Sequence, residues 1–270
     1  MILASASGAG NAVLGLGLAT AGAYAVPAVF ARRITDGAGR TSLIVAWLLH
    51  AVVLGWTLLG EPARFGFGPA LSVTAWLVLT VYAVESRMFP LLRARWALSG
   101  LGALAVLLAL VFPGSPLHVE GSATLFALHL ALGIASYGLF AAALVHAWLM
   151  TRAERQMRQA AEPQSGMPLL TLERLTLRFV TAGFVLLTAT LLAGIFFGEL
   201  IYGRAWRWDH KTIFSLLSWV TFLVLILGRA RFGWRGRTAL RWLYAGSALL
   251  LLAYVGSRFV LEVVLGRTPS

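Results

Sequence analysis

No cysteine occurs in the 270 residues. Disulfides, thiolate metal sites and thioether bonds formed on this chain are therefore excluded. Charge is scarce as well: 12% of residues are Asp, Glu, Lys or Arg, where a soluble domain carries about 25%. Lysine is reduced to Lys211, so the net charge of +12 is carried by arginine. A basic surplus can signal nucleic-acid binding. Here the arginines stand in short clusters between apolar runs, which membrane topology explains and a nucleic-acid partner does not. Histidine is also sparse, with five residues and none beyond His210.

What the chain has in abundance is apolar surface: 59% of residues are hydrophobic and the mean hydropathy is +0.83. Crossing a hydrocarbon core of about 30 Å takes about 20 apolar residues. Eight runs qualify or nearly do: 8–30, 42–59, 71–86, 96–112, 122–150, 175–197, 212–228 and 239–264. Lipid offers backbone groups no hydrogen-bond partner, so the spans must be helices. The expectation is an all-α polytopic membrane bundle of about eight transmembrane helices, forming one domain over 1–270.

Arginine then sets the orientation. The first, third, fifth and seventh connections carry 16 of the 22 basic residues, and the positive-inside rule makes that side cytoplasmic. Both termini face outward, as does the loop 198–211, whereas the polar linker 151–170 is cytoplasmic. The start of that linker extends the fifth helix, and from Pro168 the segment "PLLTLERLTLRF" reads as an amphipathic helix lying at the interface before it enters the bilayer. Ala23-Tyr24-Ala25 resembles a signal-peptide cleavage site. Without a basic segment before it, and with Arg32 and Arg33 after it, the first run reads as a retained helix. No internal repeat has a readable period.

Ionisable residues at membrane depth are functional candidates, because burying them unpaired is costly. His50 lies mid-span in the second run and His129 about two turns into the fifth. The plainer reading of each is a neutral imidazole hydrogen-bonded across a helix interface. Ser122, Gly133 and Ser136 share the His129 face, and small residues there admit another helix or a flat cofactor. His146, near the cytoplasmic end, reads as an interfacial side chain. The stretch "YGRAWRWDHKTIFSLLSW" (202–219) gathers Trp206, Trp208, Asp209, His210 and Lys211 ahead of an apolar run. It reads either as an aromatic belt with Asp209 capping the seventh helix, or as a platform that stacks on a planar ligand such as haem.

The spacing of Tyr202, Gly203, Trp206, Trp208 and Asp209 resembles the tryptophan-rich haem-handling motif of the cytochrome c assembly family, which includes CcsA and CcmC. Lys211, Trp219 and Phe222 fit the pattern leading into the next span. "GWRGR" (233–237) is similar to the family's basic loop, and "LHLALGIASYG" (128–138) to the segment with its upstream histidine, here His129. "LLHAVVL", "PLLTLERLTLRF", "GWRGRTALRW" and "LLLLAYVGSRFV" resemble the YpjD-like inner-membrane subgroup, in order, from residue 42 onward. The resemblance implies a bacterial inner-membrane protein that binds or handles haem and assists cytochrome c maturation without turning over a substrate. Membrane proteins of that process are the partners it implies.

Family members that transfer haem also place an external histidine after the tryptophan motif, and this chain has no histidine after His210. Its motif further departs in Tyr202, His210 and Thr212, where the family usually has tryptophan, proline and glutamate. The implied haem site therefore uses His129 with His210 or His118 as second iron ligand, or His129 alone. Trp206, Trp208, Asp209, Tyr202 and Gly203 form the shelf. Two alternatives remain open: a haem-free accessory subunit that docks on another membrane protein or transport system, and a transporter using His50.

Overall fold

The computed structural model describes the chain apart from residues 1, 31–32, 61, 89–94, 117–121, 160–167, 203–207, 261–263 and 265–270. For residues 2–10, 36, 87, 88, 95 and 202 it describes the backbone alone. The helices fall into two compact units, Met1–Leu117 and His118–Ser270.

The first unit holds α1 (Ile2–Val29), α2 (Asp36–Leu59), α3 (Phe67–Met88) and α4 (Arg95–Val111). Thr35 caps α2 by accepting the Ala38 N–H (3.3 Å). Residues β1 (Arg64–Phe65) and β2 (Ser115–Pro116) pair antiparallel. The Arg64 guanidinium donates to the Gly114 carbonyl (2.8 Å) and ties that pair down. Helix α4 has 17 residues, about 25 Å at 1.5 Å per residue, which falls short of the roughly 30 Å hydrocarbon core. It matches the expected fourth run, 96–112, in position and length.

The second unit holds α5 (Ala123–Arg158), α6 (Leu169–Tyr202), α7 (His210–Phe232) and α8 (Gly236–Leu251), with a π-helical turn at Leu252–Gly256 and a short α9 (Ser257–Phe259). The two long helices alter the expected boundaries. Helix α5 continues through Arg158, so the first part of the 151–170 linker is helical, as its sequence suggested. Helix α6 starts at Leu169 and runs unbroken to Phe197, where the backbone leaves helical geometry (φ −120°, ψ 15°). The segment after Pro168 is thus no separate interfacial helix. Leu172, Thr176, Val180, Gly183 and Leu187 are buried at steps of three and four, one continuous stripe that packs on α5 and carries the helix straight into the bundle.

Among the described residues seven helices are long and apolar enough to cross a membrane, with Trp96–Val111 as a shorter apolar one. This is an all-α, multi-pass membrane protein. Its many outward leucines, Leu14, Leu48 and Leu192 among them, suit a lipid solvent rather than water.

The core of the second unit is built around two rings. Phe140 of α5 and Phe222 of α7 stack at 3.8 Å and 7°. Gly183 of α6 lies under Phe140 and Gly246 of α8 under Phe222. Ser136 donates to the Gly183 carbonyl (2.9 Å) and Ser218 to the Gly246 carbonyl (2.8 Å). A methyl group at Gly246 would sit 2.9 Å from the Phe222 ring, and one at Gly183 3.2 Å from the Phe140 ring. Overpacking of this kind costs about 1–3 kcal/mol. Gly246→Ala is expected to lower the thermal midpoint of the detergent-solubilised protein more than Gly183→Ala, and Gly15→Ala, inside α1 where nothing lies within 4 Å, to keep or slightly raise it.

Candidate functional site

Four chain segments meet at one end of the second unit: the start of α5, the end of α6, the start of α7 and the π turn after α8. The Ser122 N–H donates to the Leu200 carbonyl (2.7 Å), joining the first pair. Lys211 lies 5.7 Å from the centre of the Tyr254 ring, joining the second. The link between α6 and α7 is short, because helix covers 198–202 and resumes at His210. Of the loop expected over 198–211, residues 198–202 and 210–211 are helical, and 203–207 lie outside the described residues.

Asp209 is the N-cap of α7 and accepts the Thr212 N–H (2.9 Å), so the capping role suggested by its position is real. Burial pushes its carboxyl up. The hydrogen bonds from the Thr212 backbone and side chain, with Lys211 and His210 nearby, pull it further down, leaving it below the usual carboxylate range. Trp208 is 68% exposed, and His210 stands exposed as the first residue of α7. Gly203, Trp206 and His118 lie outside the described residues, and of Tyr202 only the backbone, which ends α6, is described.

His129 is half-buried in the second turn of α5. The small residues on its face are engaged with α6. Gly133 would bring a methyl group within 3.7 Å of Thr190, and Ser136 bonds the Gly183 carbonyl. They let a second helix approach, while Ser122 serves as the N-cap of α5. His129, Trp208 and His210 thus belong to the same end of one unit. Among the described residues no three His, Cys, Asp or Glu side chains converge on a metal.

Sequence reasoning missed the support beneath Lys211. Tyr254 also carries Arg258 over its ring, at 5.6 Å. The π turn that presents Tyr254 is fastened at two points. Tyr137 of α5 donates to the Leu250 carbonyl (2.5 Å), and Ser257 to the Tyr254 carbonyl (2.9 Å). The signal was the i, i+4 pair Tyr254–Arg258 within an otherwise apolar run. π turns frequently mark functional sites.

The remaining histidines sit elsewhere. His50 is fully buried in the first unit, sharing hydrogen bonds with Tyr24 Oη (3.2 Å, through Nδ1) and Ser72 Oγ (2.8 Å, through Nε2). Hydroxyls donate or accept as needed, so either neutral tautomer is satisfied. His146 is buried rather than interfacial. It packs on Phe179 (5.2 Å) and donates from Nδ1 to the Ala142 carbonyl (2.8 Å).

The family model described as cytochrome C assembly protein matches residues 39–265. The inner membrane protein YpjD of Escherichia coli K12 is 28% identical over 232 residues, covering 83% of this chain and 86% of its own length. An uncharacterized 28.8 kDa protein of Azospirillum brasilense is 32% identical over 239 residues, 82% of this chain and 87% of its own. The cytochrome c biogenesis protein CcsA of Nostoc punctiforme is 32% identical over 111 residues, 40% of this chain and 31% of its own. No solved structure matches significantly.

Two outcomes are expected. Because the Asp209 carboxyl is held below its unfolded value of about 3.9, its stabilisation is complete above that pH and fades as pH falls through the lower folded value. Asp209→Ala should cost about 1 kcal/mol at neutral pH, while Asp209→Asn, which keeps an acceptor, should cost less and flatten the loss of thermal stability below about pH 4. In the first unit, His50→Leu strands two buried hydroxyls at about 1–3 kcal/mol each. Adding Tyr24→Phe and Ser72→Ala should recover much of that loss in a thermal melt.

Proposed function

The chain belongs to the cytochrome C assembly protein family, and on that premise we propose that it binds or handles haem at the α5–α7 end of its second unit. The observation that carries this reading is the sharing of one end by His129, an exposed Trp208 and His210. Haem is a flat apolar macrocycle with an iron at its centre and carboxylates at one edge, and histidine imidazole is a usual donor to that iron. His129 would hold the iron with His210 or His118 as second ligand. Trp206 and Trp208, carried on the 203–209 link between Tyr202 and α7, would give the ring a stacking surface. Asp209 contributes by fixing where α7 begins, and so where His210 and Lys211 stand.

Bound haem supplies a redox-active iron and the vinyl groups that cytochrome c maturation joins to protein thiols. This chain has no cysteine, so its residues can only bind, orient and shield the group, and the thiols belong to a client protein. The site would face outward across a bacterial inner membrane, since the opposite end carries the arginines. That location fits the E. coli relative's description as an inner membrane protein.

A second reading is supported by one observation: histidine ends at position 210, leaving no imidazole in α8 or its π turn. In that reading the fold is an accessory subunit that docks on another membrane protein and binds no haem.

The deciding measurement is the absorption spectrum of detergent-purified protein, oxidised and reduced, beside His129→Ala and His210→Ala. Haem handling predicts a Soret band in the wild type and roughly 10–100-fold weaker haem retention in His129→Ala, the range that changes even outside a metal's own ligands can reach. A protein that stays colourless after haem is added would overturn it, and co-purification of a membrane partner would then support the accessory reading.

A further inference from the structure

The other end of the second unit, where α5 and α7 finish and α6 and α8 begin, lies away from the proposed haem site and gathers many of the chain's arginines. Arg174 and Arg178 of α6, Arg231 of α7, and Arg235, Arg237 and Arg241 around the start of α8 are all exposed. Glu173 of α6, which stands beside Arg174, is already engaged. Its carboxylate accepts from Arg229 and lies 3.9 Å from Arg235, and Arg229 also donates to the Trp234 carbonyl (3.0 Å). Arg229 is thus a structural cation, whereas the arginines around it project outward.

The chemistry of this cluster differs from that of an ordinary charged flank in two respects. First, α8 starts against its own dipole. It has no acid in its first turn, its N-cap is Arg235, and no side chain caps it. Cations at a helix N-terminus are unfavourable unless an anion screens them. Of the arginines around the start of α8, Glu173 reaches Arg235 alone, leaving Arg237 and Arg241 without a carboxylate on α8, whereas α7 of the same unit is capped by Asp209. Second, an aromatic ladder stands beside the arginines. Phe232, 75% exposed, stacks with Trp234 at 6.2 Å, and Trp234 with Trp242 at 5.8 Å. Amphipathic rings at the ends of membrane spans settle at headgroup depth, and arginine guanidinium groups match phosphate oxygens in geometry as well as charge.

We propose that this end is a binding surface for the phosphate headgroups of anionic phospholipids, with Arg231, Arg237 and Arg241 on the phosphates and Trp234 and Trp242 at the headgroup level. Lipid is favoured over soluble phosphate or nucleic acid because the arginines sit at the ends of membrane-spanning helices, where lipid phosphate is the anion already present. Anionic lipid on that face would hold the four-helix unit in one register in the bilayer. Each arginine near an anionic leaflet adds to the attraction, which decays within a Debye length.

The test is the thermal midpoint of the full-length protein in nanodiscs of phosphatidylcholine, with and without phosphatidylglycerol. The wild type should gain about 2–4 °C per arginine engaged when phosphatidylglycerol is present. That gain should largely disappear at about 1 M salt, where the Debye length is about 3 Å. The triple variant R231Q/R237Q/R241Q should lose most of the gain while matching the wild type in phosphatidylcholine alone. Equal midpoints of the wild type in the two lipids would overturn the proposal. So would a gain that survives high salt, or an equal gain from inorganic phosphate added to phosphatidylcholine discs. If the triple variant fails to fold, the single variants replace it, and full retention of the gain in all three would likewise overturn the assignment.

Discussion

In the second unit, the Phe140 and Phe222 rings lie nearly parallel at 3.8 Å, and each rests on a glycine of a neighbouring helix. Lipid gives helices little hydrophobic reason to associate, so close van der Waals approach and interhelical hydrogen bonds must do most of the holding. Both occur here twice over. Ser136 and Phe140 stand one turn apart on α5, the serine bonding the carbonyl of Gly183 and the ring covering its Cα. Ser218 and Phe222 do the same on α7 with Gly246 of α8. The stack couples the α5–α6 pair to the α7–α8 pair, and the ends of those four helices carry the candidate haem site and the arginine cluster. Deleting a phenylalanine from such a core costs about 3–5 kcal/mol, which would loosen both ends together.

This duplicated arrangement also explains how far the sequence could be read. The spans were legible because the requirement of about 20 apolar residues leaves a coarse mark on composition. The pairing of Ser-x-x-x-Phe with a glycine left no period. One copy bonds a carbonyl 47 residues away and the other 28 away, so only folding aligns them. The break between an interfacial helix and a span was expected after Pro168 because polar and apolar residues alternate there. The buried stripe from Leu172 to Leu187 continues through that alternation and shows that the polar residues simply face outward from one long helix.

Histidines show the same limit at the level of single residues. His50 and His129 occupy equivalent sequence contexts, one polar residue in a run of leucine and alanine. Whether such a residue is a structural bridge or a ligand depends on the partners that other helices bring. Tyr24 and Ser72 come from runs on either side of His50 in sequence, and both present hydroxyls to its ring. A ring hydrogen-bonded at both nitrogens has no lone pair left for iron without displacing a hydroxyl. His129 instead shares its end of the unit with an exposed indole and the start of α7. Asp209 combines two readings that looked exclusive: its carboxylate caps α7, and through that cap it sets the position of His210 and Lys211.

Charge ties the two ends of this unit to each other. At the arginine end Glu173 is held by Arg229 and lies near Arg235, and the arginines there outnumber the acids. At the other end Asp209 offsets Lys211, and Lys211 and Arg258 share the Tyr254 ring. A cation over an aromatic face keeps its charge while shedding part of its hydration, which suits a spot bordering lipid. The strongly basic end resists transfer across the bilayer and the balanced end does not. By the positive-inside rule the arginine end would stay cytoplasmic and the end with Trp208 and His210 would face outward, the arrangement that the proposed haem site needs.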